Sequence, residues 1–374
     1  MLRLTRLRLT RFRSYAEAGL DFAAPCVVFA GPNGAGKTNL LEAISLLAPG
    51  RGLRGARLSE VAMGGEPPWA ISGRFDEGLG GFEVGTGSLE QGSAERRAFR
   101  IDGERLRAQA DLAERVAVVW ITPQMDRLFQ ESAGGRRRFL DRLAMALEPH
   151  LAREVAAYET AMSGRNRLLA QGGSDPSWIA GLEDAMARHG VAIAASRRAL
   201  VGRLNAALRG GVAGGFPAAI LTLQDMAADL LDTMPALAAE EALRAFWAKA
   251  RPRDAAAGAT LSGPHRADLL FTHAGKGLPA ALCSTGEQKS LLISTVLAHA
   301  GLIATARGFA PLLLLDEVAA HLDAERRESL FAALVALPGQ SFLTGTDAEV
   351  FAPLAGTAEN WRISPGQACR EPLP

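Results

Sequence analysis

The chain has 374 residues, a formal net charge of +1 and 48% hydrophobic residues, which is the composition of an ordinary globular protein. The near-neutral charge excludes a histone-like polycation, although it permits a local basic patch. The cysteines Cys26, Cys283 and Cys369 are odd in number and lack C-x-x-C spacing, which argues against a disulfide scaffold or a structural zinc site and favours a reducing cytoplasm.

The first thirteen residues alternate apolar and basic side chains. Leu7 and Leu9 alternate with Arg6 and Arg8, a period of two that predicts a half-buried strand. Mitochondrial presequences share this arginine-rich, acid-free composition, but the alternation favours the strand. Only four of the 41 basic residues in the chain are lysine. Arginine suits phosphate and nucleic-acid contacts, although an arginine-rich genome produces the same bias.

A phosphate-binding loop follows an apolar run at residues 27–30, which predicts a buried strand. It reads Gly31-Pro32-Asn33-Gly34-Ala35-Gly36-Lys37-Thr38, the pattern G-x-x-x-x-G-K-[ST]. Residues 37–47 then have the apolar spacing of a helix whose N-terminus faces the phosphates. Glycines let backbone N–H groups surround a phosphate, Lys37 reaches the β/γ-phosphates and the Thr38 hydroxyl can ligate Mg²⁺. The sequence therefore predicts a site for ATP and Mg²⁺.

The pattern changes twice along the chain. Residues 1–125 mix short strands with turns, as at 70–75, 99–101 and 116–121. Residues 126–254 have helical spacing, and two long helices on either side of the Gly/Pro-rich turn at 172–176 predict an antiparallel hairpin. Strand-and-helix character returns at 255. We therefore predict one domain from 1–125 plus 255–374, with residues 126–254 inserted as a helical domain.

The second half of the predicted nucleotide site lies in the C-terminal region. An apolar strand at 311–315 ends in Asp316 and Glu317. Asp316 has the position to hold Mg²⁺ through water, and Glu317 to polarise the attacking water. We expect Glu317 and Lys37 to be the catalytic residues. No apolar run approaches the ~18 residues that span a bilayer, so no membrane segment is expected.

A second anion site is predicted where the pentapeptide Ser284-Thr285-Gly286-Glu287-Gln288 begins an apolar helix. The pentapeptide resembles the signature sequence of ABC-type ATPases, which closes over a nucleotide held by the other subunit. Asp323 resembles the D-loop aspartate of those enzymes, which touches the partner subunit. The resemblance implies nucleotide contacts from Ser284, Gly286, Gln288 and Asp323, together with Asn39 beside the phosphate loop.

The chain as a whole resembles the RecF family, bacterial recombination-mediator ATPases related to SMC heads. The resemblance runs from residue 2 to about 350 and is carried by Leu7-x-Leu9-Thr10-x-Phe12-Arg13-Ser14-Tyr15, Gly50-Arg51-Gly52-Leu53-Arg54, Arg136-Arg137-Arg138-Phe139-Leu140-Asp141, Arg165-Asn166, Gly263-Pro264-His265-Arg266 and Ser284-Thr285-Gly286-Glu287-Gln288-Lys289. The chain departs from the family pattern at Ala267, where an aspartate is usual. It also lacks the switch histidine of transporters near Thr344 and Thr346, either of which could contact the γ-phosphate instead. Gln124 is a candidate Q-loop glutamine.

The resemblance implies an α/β fold of a particular kind: an ABC/SMC-head-like P-loop ATPase lobe with an inserted helical lobe built on a short antiparallel hairpin. It also implies an ATP-dependent homodimer that binds double-stranded and gapped DNA, and cooperation with RecR and RecO to load RecA. The residues alone indicate a DNA surface only through arginine density. The predicted contacts are Arg11, Arg13, Arg51, Arg54 and Arg57, with residues 136–138 as an alternative.

Two other classes of protein contain such motifs. A transporter ATPase subunit is disfavoured by the long span between Thr38 and Gly286 and by the missing switch histidine. An SMC-like DNA tether requires coiled-coil arms of hundreds of residues, whereas the hairpin here is short. The RecF-like interpretation therefore fits the whole chain best.

Overall fold

The structure is a computed structural model that describes residues 2–65, 68–78, 80–88, 97–106, 109–172, 175–211 and 215–374. These residues form two compact units. Unit 1 comprises Met1–Asp126, Gly211–Ala218 and Ser284–Pro374, and unit 2 comprises Arg127–Gly210 and Ala219–Cys283. Both units are therefore assembled from separate segments of the chain.

The strands and helices alternate along most of the chain. In chain order the strands are β1 Arg3–Phe12, β2 Tyr15–Asp21, β3 Cys26–Ala30, β4 Ala70–Asp76, β5 Gly81–Ser88, β6 Arg97–Ile101, β7 Glu104–Arg105, β8 Val118–Ile121, β9 Ala219–Gln224, β10 Asp268–His273, β11 Leu278–Pro279, β12 Leu312–Leu315, β13 Ser341–Gly345, β14 Ala358–Ser364 and β15 Gln367–Glu371. The α-helices are α1 Lys37–Leu46, α2 Leu58–Val61, α3 Gln109–Ala113, α4 Ala133–Leu147, α5 Leu151–Gln171, α6 Pro176–Arg209, α7 Met226–Thr233, α8 Ala236–Ala257, α9 Thr285–Arg307 and α10 Ala324–Ala336. Single 3₁₀ turns occur at Met63–Gly65, Pro123–Arg127, Pro264–Arg266, Ala280–Leu282, Ala319–His321 and Ala348–Leu354.

Unit 1 contains two six-stranded sheets with α1 between them. The first has the order β2-β1-β4-β5-β6-β7 and is antiparallel; the second has the order β15-β14-β3-β13-β12-β8 and is parallel except for β15. The strand β12 consists of four buried leucines, as expected for a parallel strand covered on both faces. Helix α1 contacts β1 and β4 of the first sheet and β13 of the second. The phosphate loop therefore rests on both sheets.

Unit 2 combines the predicted helical hairpin with a small sheet. Helices α5 and α6 are antiparallel, because Arg165 pairs with Glu183 while Glu154 pairs with His189. The sequence predicts only helices between 126 and 254, and that expectation is wrong for β9. Ala219 and Leu221 are buried on one face of β9, and its partner strand β10 lies more than forty residues further along the chain. Through this pairing, residues 255–283 group with unit 2 and not with the C-terminal part of unit 1.

Two buried arginines hold unit 2 together. Arg165, with 0% of its side chain exposed, donates hydrogen bonds to Glu183, Asp254, Thr260 and the backbone oxygen of Trp247. These four partners come from two distant segments, one at residue 183 and the other at residues 247–260. A buried guanidinium requires such complete pairing, because an unpaired charge loses its hydration without compensation.

Arg197 is a second buried arginine that joins distant segments of unit 2. It pairs with Asp141 of α4 and with Asp225, and it donates to the backbone oxygen of Pro264. Burial raises the pKa of Asp225, and the guanidinium of Arg197 opposes that rise. The family-like blocks at 136–141 and 263–266 thus meet through one arginine.

Among the described residues, one helix is long and apolar enough to cross a membrane by length and composition, namely α9. The prediction concerned an unbroken apolar run, and α9 contains none of that length because polar residues such as Ser294 and His299 interrupt it. Most of that helix is buried within the protein, with Leu291, Leu292 and Ile293 fully covered. Such burial is typical of a core helix.

Replacing Arg165 by alanine should destabilise unit 2 by about 3–5 kcal/mol, because the fully buried Asp254 would lose its nearest cation and Glu183 would retain only Arg251. Urea unfolding followed by circular dichroism measures the loss. Arg188→Ala is the matched control, since Arg188 forms an exposed i,i+4 pair with Asp184 and should contribute less than about 0.5 kcal/mol. If the two substitutions lower the free energy of unfolding equally, the structural role assigned to the buried Arg165 would be contradicted.

Candidate nucleotide site

The phosphate loop connects β3 to α1 through glycines that no other residue replaces easily. Gly34 and Gly36 have φ angles of 80° and 108°, in the left-handed region that favours glycine. A Cβ atom on Gly36 would lie 2.8 Å from the hydroxyl of Tyr15. That hydroxyl donates to the backbone oxygen of Gly36 at 3.2 Å, so the turn after β1 braces the loop.

Lys37 is folded into the loop and is only 5% exposed. Its Nζ donates to the backbone oxygens of Gly31 at 2.7 Å and Pro32 at 3.2 Å. The same Nζ lies 3.2 Å from Oε1 of Glu317. The structure thus brings the two predicted catalytic residues into direct contact.

Asp316 follows β12 and is 5% exposed. Thr38 Oγ1 donates to its Oδ1 at 2.9 Å, and Thr344 Oγ1 donates to the same oxygen at 2.8 Å. Burial raises the pKa of Asp316, the two hydroxyl donors oppose the rise, and the charge of Glu317 adds to it. Thr38 and Asp316, the predicted metal ligands, are therefore adjacent, and Thr344 has a supporting role that the sequence did not reveal.

Glu317 has a backbone φ of 52°, which is strained for a residue with a side chain. Its N–H donates to Thr344 Oγ1 at 2.8 Å, while its carboxylate pairs with Lys37. These contacts at both ends of the residue hold the strained conformation. Thr346, the other candidate for a γ-phosphate contact, is exposed two residues after Thr344.

A buried carboxylate in α1 gathers two of the predicted DNA-contacting arginines. Glu42, 1% exposed, accepts a bidentate pair from Arg13 at 2.8 and 2.6 Å and a third contact from Arg54 at 3.0 Å. Arg54 also donates to Asn39 Oδ1 at 2.8 Å, and Asn39 Nδ2 donates to Ser14 Oγ at 2.9 Å. Arg13 and Arg54 are thus engaged within the protein.

The other predicted DNA contacts differ in exposure. Arg11, Arg51 and Arg57 are exposed on unit 1. In the alternative cluster at 136–138, Arg136 forms a bidentate pair with Asp268 at 2.7 Å for each bond. In the first set, Arg11, Arg51 and Arg57 are therefore exposed and do not pair with Glu42.

The predicted second anion site lies at the start of α9. Ser284 Oγ accepts from the N–H of Glu287 at 3.4 Å, and the Glu287 carboxylate accepts from the N–H of Ser284 at 3.0 Å, which together form a capping box. Ser284 is exposed, whereas Gln288 is only 2% exposed. Gln288 is therefore covered by unit 1 itself.

Asp323 caps the neighbouring helix α10 and is exposed. Its carboxylate accepts from the N–H of Arg326 at 2.9 Å. A Cβ on Gly286 would lie 3.0 Å from Nη1 of Arg326, so the starts of α9 and α10 adjoin. The predicted site residues thus form two groups, one around Lys37 and Asp316 and one at these two helix ends.

Lys289 is a buried cation for which the sequence alone indicates no role. It is 4% exposed, and its Nζ lies 3.6 Å from Oδ2 of Asp126, in the turn that also contains Gln124. Burial lowers the pKa of Lys289, while Asp126 and Glu317 both raise it. The only signal for this pairing was an unexplained lysine at the start of an apolar helix.

Oxygen donors are what Mg²⁺ prefers, and Thr38 and Asp316 supply them side by side. Within the described part of the chain, no cluster of three or more His, Cys, Asp or Glu side chains could hold a metal by itself. A single carboxylate beside a phosphate loop fits an ion whose remaining ligands come from phosphates and water.

Comparisons with known proteins agree with this geometry. The model of the RecF/RecN/SMC N-terminal domain family matches residues 3–357. A DNA replication and repair protein RecF from Mesorhizobium japonicum is 50% identical over 368 residues, covering 97% of this chain and 96% of the relative. The RecF of Agrobacterium fabrum is 46% identical over 366 residues, covering 97% of each.

Solved structures show the same fold. A structure of the recombination mediator protein RecF with ATP, in the RecFOR pathway, has a TM-score of 0.83 at 22% identity and covers 99% of each chain. An Smc head domain from Pyrococcus furiosus has a TM-score of 0.53 at 14% identity, covering 100% of this chain and 97% of that one.

The parallel sheet, the phosphate loop and the Asp-Glu strand end define an ATPase of the SMC-like ABC class. Within that class the relatives match over nearly their whole length. The chain belongs to the RecF family. The predicted fold class, an ABC/SMC-head-like ATPase lobe with an inserted helical lobe, is confirmed.

Asp316→Asn should stabilise unit 1 while abolishing turnover. The raised pKa means that the folded state disfavours the ionised form of Asp316. The contribution of Asp316 to the free energy of unfolding is therefore present below its unfolded pKa of 3.8 and is lost as the pH rises through its folded pKa. Asparagine removes the charge and still accepts from Thr38 and Thr344. We expect the unfolding midpoint at pH 7 to rise by about 2–4 °C, the effect of ~1 kcal/mol, and ATP hydrolysis to fall by about 10²-fold.

Calorimetry and a phosphate-release assay measure these two effects. Asp175→Asn is the matched control, since that aspartate is exposed at the start of α6, lies outside the nucleotide site, and asparagine caps a helix equally well. A lower midpoint for Asp316→Asn would contradict the cost assigned to the buried charge.

Proposed function

We propose that this protein is an ATP-dependent DNA-binding recombination mediator that acts in DNA repair and replication restart. On binding ATP it dimerises, binds gapped or junction DNA and helps to load recombinase onto single-stranded gaps. The observation that carries the proposal is the joined cluster of Lys37, Thr38, Asp316 and Glu317 in a chain whose relatives are replication and repair proteins. Cooperation with RecR and RecO belongs to the same proposal.

The proposed hydrolysis follows from the contacts of the chain. The loop N–H groups and Lys37 bind the phosphates, and Lys37 then exchanges its contact with Glu317 for the β/γ-phosphates. Glu317, released from that pair and held by the Thr344 contact to its backbone, polarises the attacking water. Lys289 contributes a second positive charge close enough to Glu317 that the charge of Glu317 raises the pKa of Lys289.

Thr38 and Asp316 would hold Mg²⁺. When bound, the ion neutralises charge that develops on the phosphates during transfer. Thr344 orients the Asp316 carboxylate through its hydroxyl, so the ligand is already in place.

The proposed dimer uses the helix ends at Ser284, Gly286 and Asp323. The start of a helix attracts anions through its free N–H groups and dipole, and the start of α9 is exposed. A nucleotide held by one copy would therefore be closed by Ser284 and Gly286 of a second copy. Because Gln288 is covered, its contribution would be to position the start of α9.

The proposed DNA contacts are to phosphates and are independent of base sequence, because a repair factor acts wherever a gap occurs. Arg11, Arg51 and Arg57 are the members of the predicted set that are exposed and do not pair with Glu42. Cys26, Cys283 and Cys369 form no disulfide, which fits a cytoplasmic location, where such DNA is found.

Lys37→Ala and Glu317→Gln should separate ATP binding from hydrolysis. Lys37→Ala removes the loop cation and should weaken ATP binding at least about tenfold, which corresponds to the loss of a charged hydrogen bond. Glu317→Gln keeps the shape but loses the base, so ATP should bind, turn over very slowly and maintain the dimer. Fluorescent-nucleotide titration and phosphate release distinguish them. Wild-type turnover in Glu317→Gln would remove Glu317 as the base.

Ser284→Arg should bind ATP normally and fail to dimerise, because the arginine obstructs the anion site offered to the second copy. Light scattering with ATP tests this. Mixing Ser284→Arg with Lys37→Ala protein leaves one intact composite site and should restore a mixed dimer. Thr305→Arg, an exposed change further along α9, is the control. Dimerisation of Ser284→Arg alone would rule out the composite site.

A further inference from the structure

The outer face of the antiparallel sheet in unit 1 contains a row of side chains without a carboxylate. The strand register pairs Arg8 of β1 with Gly19 of β2 and Ser72 of β4, then Ser72 with Gly85, Gly85 with Arg100, and Arg100 with Arg105. We call these six residues the arginine row: Gly19, Arg8, Ser72, Gly85, Arg100 and Arg105.

The arginine row crosses all six strands. Its three arginines are exposed, and the positions between them carry no side chain larger than serine. Adjacent strands lie about 4.8 Å apart, so Arg8 and Arg100 are separated by about 14 Å and Arg105 extends the row by one more strand. The row is therefore a continuous, positively charged strip across the sheet.

The neighbouring rows on the same face contain carboxylates. One step along the strands, Arg6 pairs with Asp21 and lies opposite Arg74, which lies opposite Glu83. On the other side Thr10 lies opposite Glu17. A cavity of about 480 Å³ on this face is lined by members of both rows, including Arg8 and Ser72 from one and Asp21 and Glu83 from the other. Within these three rows the excess of positive charge therefore lies in the arginine row, where no position carries a carboxylate.

The glycines of the arginine row have no structural need to be glycine. Gly19 and Gly85 do not have positive φ angles. A Cβ on Gly19 would meet nothing within 4 Å, and one on Gly85 would meet only Cβ of Arg100, at 3.9 Å. By contrast, a Cβ on Gly87 of the same strand would lie 2.5 Å from a backbone oxygen of Trp69. Glycine weakens a strand interior, and where packing does not demand it, it marks close approach of another molecule.

We infer that the arginine row binds the phosphodiester backbone of DNA lying across the strands of the sheet, an inference that rests on the proposed DNA-binding function. Guanidinium groups pair with phosphate oxygens, and the glycines and serine let the backbone lie against the sheet. The absence of aromatic or apolar side chains in the row gives no means of reading bases. This surface is separate in sequence from Arg51 and Arg57, which the proposed function places against DNA.

Anisotropy titration of a labelled gapped duplex with the full chain, in ATP and Mg²⁺ at several salt concentrations, tests the inference. Arg8→Ala with Arg100→Ala should weaken binding at least about fivefold and make the log–log salt slope shallower by about 1.8, the value for two phosphate contacts. Gly85→Gln should weaken binding with the charge unchanged. Arg362→Ala with Arg370→Ala removes equal charge from the other sheet, where both arginines are paired with carboxylates, and should leave the slope unaltered.

The outcomes separate the two proposals. Wild-type affinity and slope in the Arg8/Arg100 variant, with an unfolding midpoint like that of the wild type, would overturn the arginine row. If Arg51→Ala with Arg57→Ala still weakens binding in that case, the proposed function stands. Absence of DNA binding by the wild-type protein would remove both. Polyglutamate serves as a model of an acidic protein segment. If the Arg8/Arg100 variant loses the wild-type protein's binding to polyglutamate but keeps its binding to DNA, the inference would be overturned and the row assigned to an acidic protein segment.

Discussion

The structure of unit 1 depends on one buried carboxylate, Asp316, which is bonded by two hydroxyls from different elements. Thr38 belongs to the start of α1 and Thr344 to β13, so this carboxylate joins the phosphate loop to the centre of the parallel sheet. Its burial costs free energy, as the raised pKa records. A protein selected for stability alone would place a neutral group there. The retained charge is therefore best explained by the ion that it is proposed to hold.

The same cluster keeps Glu317 ready for chemistry. The backbone of Glu317 is strained, and such strain persists only where surrounding contacts determine the conformation. Thr344 binds its N–H, and Lys37 and Lys289 supply positive charge. In the proposed mechanism, nucleotide binding draws Lys37 away from Glu317, so this ion pair would link phosphate binding to release of the proposed base. Thr344 contacts both Asp316 and Glu317 and so connects the proposed metal ligand to the proposed base.

Charge pairing also organises the rest of the chain, but with a different consequence. In unit 2, Arg165 and Arg197 are buried among carboxylates and join distant segments. In α1, Glu42 pairs with Arg13 and Arg54, two of the arginines predicted to contact DNA. The arginines of the arginine row have no such carboxylate opposite them in the register. The many arginines of this chain thus fall into two groups. Some form structural ion pairs inside the protein, and a smaller number are available to bind phosphate.

The sequence by itself determined the phosphate loop, the apolar strand that ends in Asp316 and Glu317, the helical hairpin and the class of ATPase. These features are local, because residue type and spacing within a few turns or one strand specify them. Only the tertiary structure decided that β9 pairs with β10, that Thr344 meets Asp316, and that Arg13 and Arg54 serve Glu42 while Arg8 and Arg100 share one row. Strand register and the choice of charge partner depend on which distant segments become neighbours, and periodicity along the chain carries no information about that.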